Sequence, residues 1–232
     1  MTPSSEYKGE MTHIFFGGTF DPPHEGHRLV LERCLDAFPT AKVVVVPGAK
    51  PAGAFGQHKT PKASFEQRVE MCSLGFLEKI ASERLSISTI ERDLEAPNYT
   101  WKTLEALKAS APGSFWGILL GFDQLQSFAG WQNSRELVEK YNVVAVERPS
   151  YETLPVILPK LSETFGAIDS LGSGVYRLGR SGQKLYTLMG AVSDAASRVV
   201  RTSIDQVQTR AWLDPNVTDY IRQHKLYDES EA

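Results

Sequence analysis

Only two cysteines, Cys34 and Cys72, occur in 232 residues. Both fall in apolar stretches of helical periodicity, so they read as buried thiols rather than as a disulfide or half of a metal site. No apolar run approaches the ~18 residues of a membrane helix, and no signal-peptide pattern is present. Basic charge is also short: 25 Lys and Arg stand against 28 Asp and Glu, a formal net charge of −3. That balance leaves no electrostatic footprint for nucleic acid. The expectation is a cytoplasmic protein without membrane or nucleic-acid partners. Internal repeats and low-complexity tracts are lacking as well. Met1 to Glu10 is polar, holds Pro3, Ser4 and Ser5, and reads as a loose leader, so the fold is expected to begin near Met11.

What is present is a regular alternation of strand and helix patterns. Apolar residues make up 41% of the chain and charged ones 23%, enough for a sizeable core. Ile14 to Phe16, Lys42 to Val46, Leu85 to Ile90, Phe115 to Leu120, Asn142 to Val146 and Lys184 to Met189 read as strands. Helical spacing covers Glu25 to about Phe38, Ser64 to Ile80 with Ser64 and Gln67 as a capping box, a helix capped by Asn98 or Thr100 and running to about Ala109, and Ser134 to Lys140. It returns near Val156 to Phe165, at Ser193 to Thr209 and at Asn216 to His224. The segment from Ser150 to Gly182 is the least legible. Such alternation specifies an α/β fold, a doubly wound parallel sheet with helices on both faces. Residues 11–190 are expected to form the core and 191–232 a C-terminal helical segment of the same domain.

Ligands in such sheets sit beyond the carboxyl ends of the strands. The most informative stretch lies there: Gly17-Gly18-Thr19-Phe20-Asp21-Pro22-Pro23-His24-Glu25-Gly26-His27. Glycines let a ligand approach the main chain, and the prolines suit a helix start. A helix N-terminus offers unpaired N–H groups and partial positive charge, a natural phosphate site. His24 and His27 are three apart and share a helix face. Two imidazoles over a phosphate cradle suit charge stabilisation during phosphoryl or nucleotidyl transfer. A bare Gly-Gly is most often only a turn; the ordered set is far more specific.

That set resembles the signature of the nicotinate-mononucleotide adenylyltransferase family. Further blocks follow in order: Gln57-His58-Lys59 in a long loop, Glu91 with Asn98-Tyr99-Thr100, Gly121-Phe122-Asp123, then Trp131 and Val146-Glu147-Arg148-Pro149. The last are Val192-Ser193-Asp194-Ala195-Ala196-Ser197-Arg198 and an ending that includes Pro215, Val217, Tyr220, Ile221, Leu226 and Tyr227. The chain departs from the family pattern at Gln57, where a proline is usual, and at Ala195, where a threonine is usual. The resemblance covers residues 11 to 227 and implies a Rossmann-like nucleotidyltransferase fold.

It also implies adenylyl transfer from ATP, with Mg²⁺, to nicotinate mononucleotide, giving deamido-NAD and pyrophosphate in NAD biosynthesis. His24, His27, Lys59 and Arg198 would be catalytic. Gly17, Gly18, Thr19, Phe20, Gly121, Asp123 and Ser193 would join them around ATP, with Ser193 capping a helix and Arg201 a rival for Arg198. Asp21, Tyr99, Thr100, Trp131 and Arg148 would hold the mononucleotide, Trp131 by stacking on the pyridine ring. No side chain is assigned as a metal ligand. Nicotinamide mononucleotide or phosphopantetheine as acceptor, a nucleotide-binding regulator that has lost activity, and homo-oligomerisation remain open at this stage.

Overall fold

The computed structural model describes residues 11–51, 60–80, 82–149, 151–190, 193–202 and 211–227. The leader and the His58-Lys59 pair lie outside them. Eight strands form one sheet: β1 (His13–Gly18), β2 (Lys42–Pro47), β3 (Leu85–Ile87), β4 (Trp116–Gly121), β5 (Asn142–Val146), β6 (Ile168–Gly172), β7 (Val175–Leu178) and β8 (Lys184–Leu188). Their order is β3-β2-β1-β4-β5-β8-β7-β6. The first six in that order pair in parallel, while β7 and β6 run antiparallel to their neighbours.

Strands β2, β4 and β5 are buried almost throughout, as continuous apolar runs in parallel sheets should be. Successive side chains alternate between the faces. Ile14, Phe16, Val43 and Val45 meet Val30, Leu31 and Cys34 of helix α1 (Glu25–Ala37) on one side. Phe15, Val44, Val46, Ile118 and Leu120 meet the other layer. That layer includes α4 (Thr100–Ser110), α6 (Ser134–Lys140) and α7 (Leu154–Phe165). The doubly wound expectation is therefore met.

The helix expected over Ser64 to Ile80 is continuous but not uniform. It runs as α2 (Phe65–Cys72), a π-helical turn at Ser73–Leu77 and α3 (Glu78–Ile80). The Ser64–Gln67 capping box forms: the Gln67 N–H donates to Ser64 Oγ at 3.1 Å and the Ser64 N–H to Gln67 Oε1 at 2.8 Å. A short helix α5 (Phe122–Leu125) follows β4 directly, and α8 (Ser197–Thr202) and α9 (Pro215–Gln223) come last.

Four expectations change. Strand β3 ends at Ile87, because Ile90 already opens a 3₁₀ turn, Ile90–Asp93. Neither Asn98 nor Thr100 caps α4; its N-cap is Tyr99, without a side-chain bond. The Gly/Ser-rich stretch before β8 folds as the β6–β7 hairpin. Helix α8 begins at Ser197, not at Ser193.

Candidate active site

The strand order reverses between β1 and β4, and ligands of such sheets sit beyond the carboxyl ends of the strands at that switch point. Gly17 and Gly18 are the last two residues of β1, still in register with Val46 and Pro47. The absence of side chains there has a packing cause. A Cβ on Gly17 would lie 2.8 Å from Phe15 Cε1, and one on Gly18 2.7 Å from Phe20 Cζ. Phe20 takes a left-handed conformation, φ 51°, which sends its ring inward. The ring packs 5.0 Å from His27 and 5.7 Å from Phe76. Phe20 therefore props the second histidine from below, and only its backbone is left for a ligand.

His24 is the N-cap of α1 and His27 its third residue. Their rings stack, with centroids 3.7 Å apart and planes 29° apart. The His24 N–H donates to His27 Nδ1 at 3.3 Å. That bond makes Nδ1 an acceptor and so places the proton of a neutral His27 on Nε2. Burial, then the Arg148 charge, pushes the His24 imidazole down to about 3. Burial, then His24 and Arg148, holds His27 well below its usual value. Both are neutral donors at pH 7. His24 is 4% exposed and its Nδ1 has no hydrogen-bond partner, an orphan that a polar ligand would satisfy.

Arg148, just past β5, gathers the next group. Its guanidinium pairs with Asp123 at 3.2 Å and donates to the Ala195 carbonyl at 2.5 Å. The same carbonyl would lie 3.3 Å from a Cβ on Gly26. The start of α1, the end of β5 and the strand-to-helix turn before α8 thus converge within a few ångströms. Gly121 leaves room for this: a Cβ there would meet Asp123 and come 2.8 Å from Arg148 Cδ. Tyr151 lies under the Arg148 guanidinium, 5.5 Å from ring centroid to charge.

Tyr99 and Thr100 stand at the N-terminus of α4, which has no side-chain cap. Asn98 instead binds the loop after β2: Lys50 N–H donates to Asn98 Oδ1 at 2.6 Å and Asn98 N–H to the Lys50 carbonyl at 2.9 Å. Glu91 reinforces the same junction, accepting from Ala49 N–H at 3.1 Å and from the Thr103 hydroxyl at 2.6 Å. Burial raises its carboxyl to about 6 despite these donors. Trp131 is half-buried and edge-on to Phe128 at 5.1 Å.

The first loop is held from beneath by residues that motif reading passed over. Arg68 is 1% exposed and donates to the carbonyls of Thr19 at 2.7 Å and Ala63 at 3.2 Å. An arginine on the stripe that also carries Met71 and Cys72 was the available signal. Asp21, expected at the mononucleotide, is 4% exposed and bonded to protein groups. In the last block the sequence register shifts. Ser193 does not cap a helix; its Oγ accepts from the Ala195 N–H at 3.1 Å within a turn. Ser197 opens α8 and donates to the Pro22 carbonyl at 2.9 Å. One turn on, Arg201 reaches the Asp21 carbonyl at 2.5 Å. Arg198 is exposed, so the rival Arg201 is the arginine that turns toward the first loop.

Known proteins share this framework. The model of the Cytidylyltransferase-like family matches residues 15–187. A protein of Desulfotalea psychrophila, curated as a probable nicotinate-nucleotide adenylyltransferase, is 32% identical over 220 residues, 91% of this chain and 97% of its own length. One of the same name from Rubrobacter xylanophilus is 36% identical over 138 residues, 59% of this chain and 62% of its own. In structure, the nicotinic acid mononucleotide adenylyltransferase of Plasmodium falciparum, solved with APC and with NaAD, superposes with a TM-score of 0.67 at 18% identity. It covers 94% of this chain and 98% of its own, and at that identity the likeness speaks for the fold. The strand-order switch point and stacked histidines thus occur in a chain that belongs to the Cytidylyltransferase-like family and, within it, to the nicotinate-nucleotide adenylyltransferases.

Proposed function

We propose that this chain transfers the adenylyl group of ATP to nicotinate mononucleotide. A phosphate oxygen of the mononucleotide attacks the α-phosphorus of ATP in line. The bond from the α-phosphorus to the bridging oxygen breaks, and pyrophosphate leaves. No protein nucleophile takes part; positioning and charge stabilisation carry the reaction. The supporting observation is the stacked, neutral His24–His27 pair at the head of α1, beside the Gly17–Gly18 strand end. His27 Nε2–H is a donor suited to phosphoryl oxygens.

Around that pair the roles divide by chemistry. The backbone of Gly17 to Phe20 and the Arg201 guanidinium face the triphosphate; Lys59 joins them on the sequence pattern alone. Gly121 and Asp123 suit the adenosine end, where a carboxylate accepts ribose hydroxyls. The uncapped N–H groups at Thr100 suit the nicotinate carboxylate, with Tyr99 and Trp131 as aromatic surface for the pyridine ring and Arg148 near the mononucleotide phosphate. Among the described residues no cluster of three or more His, Cys, Asp or Glu could hold a metal ion. Mg²⁺ would come with ATP, where phosphate oxygens would supply most of its ligands.

The test supplies MgATP with nicotinate mononucleotide, nicotinamide mononucleotide or phosphopantetheine and follows pyrophosphate and the adenylylated product. Fastest release with nicotinate mononucleotide is expected. Nucleotide binding without pyrophosphate release from any pair would overturn the reading in favour of a regulator.

A further inference from the structure

The Asp21 carboxylate joins three distant parts of the chain. Lys62 N–H donates to Oδ2 at 2.8 Å, Ala63 N–H to Oδ1 at 3.1 Å, and the Tyr227 hydroxyl to Oδ1 at 2.7 Å. Arg201 Nη1 lies 3.7 Å from Oδ2 while bonding the Asp21 main-chain carbonyl. A carboxylate has about four acceptor positions. Three are filled by hydrogen bonds and the fourth faces a guanidinium, so none is left for a substrate hydroxyl. The Asp21 side chain is 5% exposed, whereas Arg201's is 23% exposed. The arginine is thus gripped at one nitrogen while part of its side chain stays accessible. Burial first, then the Asp21 charge, raises the Tyr227 phenol well above its usual range, so it is a constant donor.

We propose that Asp21 and Tyr227 are positioning residues that together set the direction of Arg201 and the height of the Thr19–Asp21 loop, and through them the affinity for a nucleoside triphosphate. This rests on the adenylyl-transfer reading and changes one of its assignments: Asp21 acts through Arg201 instead of touching the mononucleotide. Lys62 and Ala63 lie three and four residues beyond Lys59, so the same carboxylate also fixes where that loop rejoins α2.

The experiment compares wild type, Tyr227→Phe, Asp21→Asn and the double variant. Calorimetry gives the affinity for a non-hydrolysable ATP analogue with Mg²⁺, steady-state kinetics give KM and kcat for both substrates, and thermal unfolding reports the folded fraction. Tyr227→Phe keeps the ring and its packing. It is expected to weaken analogue binding about tenfold, the scale of one hydrogen bond to a charged group, with the KM for nicotinate mononucleotide within twofold of wild type. The double variant is expected to lose no more than Asp21→Asn alone, because coupled residues act as one unit. Wild-type analogue affinity in Tyr227→Phe, additive losses in the double variant, or a rise confined to the mononucleotide KM in Asp21→Asn would each overturn the proposal. A wild-type protein that binds the analogue yet adenylylates no pyridine mononucleotide refutes the transfer reading alone. The analogue affinities still judge the positioning role. Failure of wild type to bind the analogue refutes both.

Discussion

His24 and His27 lie face to face with ring centroids 3.7 Å apart, and a main-chain N–H of the first is bonded to Nδ1 of the second. Two imidazolium charges at that separation would repel strongly, and burial adds to the penalty, so the pair works uncharged. Removing His27 takes away a preorganised donor. His27→Ala is expected to slow turnover about 100-fold or more while the protein stays folded, the usual scale for one such donor. Near-normal kcat in a variant of unchanged thermal midpoint would remove the phosphate-site assignment.

The same pair gives stability a pH dependence of known sign. An unfolded histidine titrates near its model value of 6.5, and folded His24 near 3. Between those values the unfolded chain binds more protons, so stability rises with pH. Acid should therefore destabilise the protein from about pH 6.5 downward, by at most ~1.4 kcal/mol per pH unit for each such histidine. Glu91 opposes this over a narrower window: its folded value of about 6 exceeds its model value of 4.5, so its contribution falls as pH rises through that interval. Denaturant titrations at pH 7, 6 and 5 should show net loss toward acid, and a flat profile would contradict the neutral-pair description.

Thr103 donates to the buried Glu91 carboxylate at 2.6 Å. Thr103→Val keeps the shape and deletes the donor. A loss of about 1–3 kcal/mol is expected at pH 7, the range for leaving a buried acceptor without its partner. The loss should shrink at pH 5, where Glu91 is protonated. Equal losses at both pH values would show that the hydrogen bond does not depend on the carboxylate charge.

Gly121 sits where a methyl group would displace the Asp123–Arg148 pair. Gly121→Ala is expected to reduce kcat/KM on the order of tenfold or more, since small misplacements of positioned groups have effects of that size. Arg148→Lys should act in the same direction, because an ammonium cannot span Asp123 and the Ala195 carbonyl as a planar fork does. Kinetics on both variants, with thermal midpoints as control, check this.

The sequence was most legible where local periodicity and burial agree. Strands β2, β4 and β5 are apolar because both faces are covered, and α1 shows its stripe of Val30, Leu31, Cys34 and Leu35. The β6–β7 hairpin was hidden because Asp169 to Gly172 face solvent on both sides and show no alternation. The start of α8 was missed by four residues: a Ser-x-x-x-x-Arg pattern fits at Ser193–Arg198, but the packing of Val200 and the reach of Arg201 decide for Ser197. The histidines, Asp123 and Arg148 were found from motif and strand ends, whereas Arg68 and Tyr227 act through partners 49 and 206 positions away. No window of sequence displays such a pairing.

That last separation has a consequence for how the molecule is made. The loop following β1 is synthesised 206 positions before Tyr227, whose hydroxyl binds it. Contacts so far apart form late, after most of the chain has collapsed around them. On the ribosome, β1, α1 and β2 can assemble early and the Lys62 and Ala63 N–H groups can engage Asp21, but the bond from the Tyr227 hydroxyl waits until residue 227 is made. Nascent chains halted short of Tyr227 would present the histidines on an unfinished support.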